Sequence, residues 1–129
     1  MRKSSLLVAF LLVLTLSVAA VAAPLMVYSS VDEENARAIL AAFTKDTGIP
    51  VRFVHLSSGP ALARMEAEKE NPRADVWMGA PSENHVLAKQ RGLTQPYFSP
   101  NAKELDAKFV DEDGYWTSFY MNPMGVAMN

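Results

Sequence analysis

The chain has 129 residues, 50% hydrophobic and 20% charged, with no cysteine and a formal net charge of −2. That length suffices for one small domain, and the absence of cysteine excludes disulfides, thiolate catalysis and cysteine-based zinc sites. A mildly acidic chain without a basic stripe is unsuited to the polyanionic backbone of nucleic acid.

Arg2 and Lys3 precede an uncharged run from Leu6 to Ala23, which contains the small-residue stretch Ala20-Val21-Ala22. A positive head, an apolar middle and an A-x-A exit describe a secretory signal peptide. Residues 1–22 are therefore read as a cleaved leader and 23–129 as the exported domain. Cleavage after Ala23 would leave Pro24 at the new amino terminus, so the cut is placed after Ala22. An uncleaved anchor is the alternative, because the run is nearly long enough to cross a bilayer. Loss of Arg2 and Lys3 leaves 10 basic against 14 acidic residues, a net −4.

Leu25 to Tyr28 is a short apolar strand, followed by Ser29-Ser30. Ser30 with Glu33 matches the S-x-x-E capping box, and Asp32, Glu33 and Glu34 suit the positive end of a helix dipole. Ala36, Ile39, Leu40 and Phe43 fall at i, i+3, i+4 and i+7, one apolar helix face, and Gly48 is the stop. Val51 to Leu56 is apolar and β-branched, a second strand. Ser57-Ser58-Gly59-Pro60 breaks it, and Ala61 to Glu70 is a helix of strong formers stopped by Asn71-Pro72. Ala74 to Met78 reads as a third strand, followed by Gly79 and a helix from Glu83 to Arg91 with Ser82 at its N-cap and Gly92 as its stop. Beyond Gly92 the periodicity fades. Pro96, Pro100 and Asn101 mark loops, 102–109 reads as a short helix, 111–114 as a turn, 115–120 as a strand and 125–129 as the start of another.

Strand, Ser-Ser, helix thus occurs twice. If the strands are parallel, the fixed crossover hand turns both corners the same way, and open parallel sheets take ligands at the carboxyl ends of their strands. Ser29, Ser30, Ser57, Ser58 and Gly59 would share one rim, where helix N–H groups and hydroxyls favour an anion. Trp77 and Gly79 end the third strand on the same rim, the first as a wall and the second to admit a ligand close to the backbone. Each residue also has a purely structural role open to it: an N-cap is worth about 1 kcal/mol, and Trp77 suits a core equally well. Two such corners on one rim favour the ligand. Asp75 suits a strand-start cap. Nothing matches G-x-S-x-G or S-x-x-K. His55 lies near a Ser-Ser corner, His85 suits a solvent-facing first turn, and their spacing supports no metal site. Tyr115, Trp116, Phe119 and Tyr120 form an aromatic cluster suited to a core.

VYSS at 27–30, TGIPV at 47–51, SSGPALARMEAEKENPRADVWMG at 57–79, RGLTQPYFSP at 91–100 and DGYWTSFYMNPMGVAMN at 113–129 together resemble periplasmic solute-binding proteins of ABC importers. The branch resembled includes ferric-iron binders and binders of phosphonates and phosphorylated small molecules. The resemblance implies an α/β lobe with a mostly parallel sheet flanked by helices. It further implies a second lobe across a ligand cleft, with residues 23–129 as the first lobe, truncated near the hinge. Its first-lobe contacts map to Ser29, Ser30, Ser57 and Ser58, with Trp77 to Ala80 as a wall. Iron-binding members carry a His just after the first strand, where this chain has Ser29-Ser30-Val31-Asp32, and their tyrosine pair belongs to the second lobe. An oxyanion-bearing solute is favoured over direct ferric coordination. The resemblance thus implies a monomeric, non-enzymatic periplasmic or extracellular protein with no cofactor, no metal ligand and no catalytic residue. It would bind a small anionic solute or a ferric complex and serve an ABC permease in the inner membrane. Two alternatives stand beside this: an exported α/β hydrolase using Ser57 or Ser58 with His55, and a truncated remnant that binds nothing.

Overall fold

A computed structural model describes residues 23–122. The leader at 1–22 and the strand expected at 125–129 lie outside the described residues. Among the described residues the elements run β1 (Leu25–Ser29), α1 (Glu33–Thr47), β2 (Val51–His55), α2 (Ser58–Ala67), β3 (Val76–Met78) and α3 (Ser82–Gln90), followed by 3₁₀ turns at Pro100–Glu104 and Ala107–Phe109. The strands form one parallel sheet in the order β2-β1-β3. Central β1 is the most buried element, with Val27 and Tyr28 at 1% exposure and Ser29 at 0%.

Side chains alternate between the faces of a strand. Val27, Phe53 and Val76 therefore share one face, and Tyr28, Val54 and Trp77 the other. The crossovers β1-α1-β2 and β2-α2-β3 run in opposite directions across the sheet, so the usual right-handed connection sends α1 and α2 to opposite faces. The side chains agree. Arg37 of α1 stacks over Phe53 at 5.2 Å, and Arg64 of α2 over Tyr28 at 4.8 Å. On the α2 side, α3 is joined to α2 by Arg91 to Glu66 at 2.8 Å and by Lys69 Nζ donating to the Arg91 carbonyl at 2.8 Å. Lys89 of α3 then holds the following loop through Asp111 at 3.1 Å and Asp113 at 2.6 Å.

Several boundaries differ from the sequence reading. The Ser30 capping box does not form. Asp32 is the N-cap of α1, and its carboxylate accepts from the Glu34 and Asn35 N–H groups at 3.1 and 3.4 Å. Ser30 is drawn instead toward β3, where its N–H donates to the Met78 carbonyl at 2.8 Å. α2 starts at Ser58, three residues earlier than expected, with Pro60 third in the helix. Proline fits there because first-turn N–H groups have no intrahelical acceptor to lose. β3 is shorter than expected and starts after Asp75, whose N–H donates to the Met26 carbonyl at 2.8 Å and whose carboxylate accepts the Met26 N–H at 2.8 Å, the strand-start cap read from sequence. Pro81, not Ser82, is the N-cap of α3. The short helix expected at 102–109 is replaced by the two 3₁₀ turns. The strand expected at 115–120 is a single antiparallel bridge between Val110 and Thr117, flanked by Asp111 N–H to Trp116 carbonyl and Ser118 N–H to Phe109 carbonyl bonds. The Asp111–Gly114 turn returns the chain on itself, so these residues pair locally rather than joining the sheet.

The apolar stripe of α1 is only partly covered. Ala36 is fully buried, whereas Ile39 and Phe43 are 41% and 36% exposed. A 15-residue helix is about 22 Å long and the five-residue strands beneath it about 17 Å, so the helix overhangs its sheet.

A polar triad fastens α2 to β1. The buried Tyr28 hydroxyl donates to Glu68 at 2.7 Å, and Arg64 Nε donates to the other Glu68 oxygen at 3.0 Å. The Tyr28 bond, aided by Arg64 and opposed by partial burial, holds the Glu68 carboxyl below the usual range. A depressed carboxyl contributes stability that is present above its unfolded pKa and lost as pH falls through the folded value. Glu68→Gln should therefore lower unfolding stability by about 1 kcal/mol at neutral pH. Urea unfolding of both proteins should show that gap closing on acidification below about pH 4, where the unfolded carboxylate protonates.

Candidate solute-binding rim

Parallel pairing brings the carboxyl ends of all three strands to one edge. Ser29 stands in register with His55 on one side and Met78 on the other. The edge is laced by the Leu56 N–H to the Ser29 carbonyl at 2.9 Å and the Ser30 N–H to the Met78 carbonyl at 2.8 Å. The two Ser-Ser corners are neighbours on this edge, as the repeated strand-serine-helix pattern requires. Their side chains have different roles.

Ser29 is fully buried. Its hydroxyl accepts the Val31 N–H at 3.3 Å and lies 3.5 Å from the Val31 carbonyl. It closes a local turn, with its hydroxyl turned inward from the rim on which the sequence reading placed it. The amino end of α1 is likewise taken by the Asp32 carboxylate. An anion cannot use that dipole, because a resident anion already does.

The second corner is open. Ser57 is exposed and its hydroxyl makes no capping bond. The first bonded N–H of α2 is that of Ala61, which donates to the Ser57 carbonyl at 2.9 Å. Pro60 carries no N–H, so Ser58 and Gly59 present the free N–H groups of the first turn. Gly59 faces open space, with no atom within 4 Å of a Cβ built there. Two backbone donors, two hydroxyls and the positive end of a ten-residue helix meet at this corner.

Gly79 is needed for a reason other than the one read from sequence. It has φ +85°, and a Cβ there would lie 2.7 Å from Val31 Cγ2 and 2.8 Å from the Val31 nitrogen. The chain's own β1–α1 turn makes that close approach. Ala80 follows with φ +72°, a left-handed conformation that side chains disfavour.

Trp77 does stand at the rim, fixed from both sides. Its Nε1–H donates to Ser30 Oγ at 3.1 Å, and its ring packs against His85 at a centroid distance of 4.4 Å, tilted by 41°. His85 was expected to face solvent. It is half-buried instead, with Nε2 hydrogen-bonded to the Gly79 carbonyl. A carbonyl only accepts, so Nε2 carries the proton. Burial pushes the ring pKa down despite that bond. Spacing alone gave no hint of this contact: α3 must fold back over β3 before residues 77 and 85 meet. His55 is exposed, and no hydrogen bond joins it to Ser57 or Ser58. Among the described residues no group of three or more His, Asp or Glu side chains is placed to hold a metal.

No family model matches the chain. It is 34% identical over 108 residues to the probable ABC transporter periplasmic-binding protein y4fP of Sinorhizobium fredii, covering 84% of this chain and 30% of that one. Its fold superposes on the periplasmic binding protein AfuA of Actinobacillus pleuropneumoniae, solved with fructose-6-phosphate, with a TM-score of 0.65 and 32% identity over 67% of this chain and 27% of that one. Trichodesmium FutA, solved with iron and citrate, gives a TM-score of 0.69 and 26% identity over 75% of this chain and 31% of that one. The chain is a relative of the periplasmic solute-binding proteins. Its three-stranded α/β unit matches a lobe of that fold and spans about a third of the length of the relatives it matches.

In this α/β unit, Gly79→Ala should cost about 2 kcal/mol or more, combining left-handed strain with a backbone clash. Ser57→Ala should stay within about 0.5 kcal/mol of the parent, because that hydroxyl caps nothing. Thermal unfolding of the two variants checks both.

Proposed function

We propose that this chain is the solute-capturing part of an exported ABC-transport binding protein, taking a small anionic solute of the phosphate, phosphonate or sugar-phosphate kind and passing it to a permease in the inner membrane. The leader-like residues 1–22 would direct it to the periplasm, where it acts as a monomer and carries out no chemistry on its solute. The observation that carries this reading is the uncapped amino end of α2, where Ser57, Ser58 and the Gly59 N–H stand open on the rim beside Ser30. Neutral dipoles and hydroxyls bind an oxyanion without a matching cation. The AfuA neighbour, solved with a sugar phosphate, supports the same chemistry.

The FutA neighbour keeps ferric iron as a second reading. The donor set weighs against it, because hydroxyl and N–H protons seek oxygen atoms whereas a ferric ion seeks anionic oxygen ligands.

A ligand that binds only the folded state raises the unfolding temperature, by about 2.7 kcal/mol of stability at a concentration 100 times its Kd. Thermal unfolding of the full chain is followed while inorganic phosphate, fructose-6-phosphate and ferric citrate are each titrated into the millimolar range. One lobe supplies only part of a two-lobed site, so the shift should appear at the high end. Phosphate or its ester should raise the unfolding temperature, and Ser58→Ala should abolish the rise. A shift with ferric citrate alone would overturn the oxyanion assignment.

A further inference from the structure

Resting on the anion reading above, we propose that Trp77 is a positioning residue that keeps the Ser30 hydroxyl proton on the rim side, where it can be donated to an anionic oxygen of the solute. A serine hydroxyl has one proton and two lone pairs, whereas an indole can only donate. Once Trp77 Nε1–H occupies a lone pair of Ser30 Oγ at 3.1 Å, the hydroxyl proton is directed away from the indole. Among the described residues none accepts that proton, and Ser30 is half-exposed on the rim. Its main-chain N–H is already committed to the Met78 carbonyl at 2.8 Å. Ser30 therefore keeps its proton and its second lone pair for the rim.

The device is locked because its contacts form a closed ring. Trp77 is stacked on His85 at 4.4 Å, and His85 Nε2–H is tied to the Gly79 carbonyl. Gly79 packs directly against the Ser30–Val31 backbone, where a Cβ would lie 3.0 Å from the Ser30 carbonyl carbon. Ser30, Trp77, His85 and Gly79 thus hold one another, and the indole cannot turn aside without breaking the His85 contact. With the indole side closed to it, the hydroxyl proton is confined to the rim side, where an anionic oxygen can accept it. Pre-setting the proton also spares the ordering that a free rotor undergoes on binding.

Inorganic phosphate is the probe, with dissociation constants measured by calorimetry on the full chain and on Trp77→Phe, Ser30→Ala and the double variant. Trp77→Phe keeps an aromatic ring at the wall and removes the N–H donor together with part of the indole surface. It should weaken phosphate binding about threefold to tenfold. Ser30→Ala should then cost less in the Trp77→Phe background than in the parent, because the two residues act as one unit. Ser30→Thr, which keeps the hydroxyl, should stay within about twofold of the parent. Unchanged affinity in Trp77→Phe, or losses that simply add, would overturn the positioning role and leave the anion reading standing. A parent protein that binds no phosphate would sink both. Should Trp77→Phe fail to fold, exchange of the Trp77 indole proton decides. It should be faster in Ser30→Ala and slower in the parent on adding phosphate, and equal rates in all three states would overturn the assignment.

Discussion

The structure depends on the pairing of β1 with a parallel strand on each side. Only a strand with neighbours on both edges and helices on both faces can bury Val27, Tyr28 and Ser29 as completely as these are buried. Parallel pairing obliges the chain to return by helical crossovers, and those crossovers put every strand's carboxyl end on the same edge. The rim exists because the sheet is parallel, and it needs no further instruction from the serines that line it.

What lines the rim is a division of labour among similar residues. Four serines reach the edge from sequence, and the fold uses them differently. Ser29 is spent on a turn, Ser30 accepts the Trp77 indole N–H, and Ser57 and Ser58 remain open at a helix end. The amino ends of α1 and α2 contrast in the same way. One carries its own carboxylate and is electrostatically satisfied, while the other is bare and attracts negative charge. A solute that needs a helix dipole must approach α2.

The left-handed conformations at Gly79 and Ala80 follow from the same geometry. The chain leaving β3 must pass hard against the β1–α1 turn, and in doing so it turns the Gly79 carbonyl toward His85. Crowding that looks like a packing expedient thereby brings His85 against Trp77, whose indole N–H reaches Ser30. Backbone strain of this kind persists where the surroundings over-determine it, and here a ring of four residues does so.

The amino-acid sequence by itself determined the order of strands and helices through residue 92, the serine-bearing corners, the Gly48 stop, the strand-start role of Asp75 and the likeness to periplasmic solute-binding proteins. Those features rest on periodicity, local side-chain chemistry and short motifs, which act over a few residues and can be read in order along the chain. Tertiary structure alone decided which hydroxyls stay open, why Gly79 must be glycine, that Asp32 rather than Ser30 caps α1, and that His85 turns inward to Trp77. Ser30 is drawn to Trp77 and Met78 and Gly79 is pressed on Val31 across a long stretch of the described chain, while His85 reaches Trp77 only once α3 folds back over β3. Such contacts are settled by which strands become neighbours, and no local pattern records that.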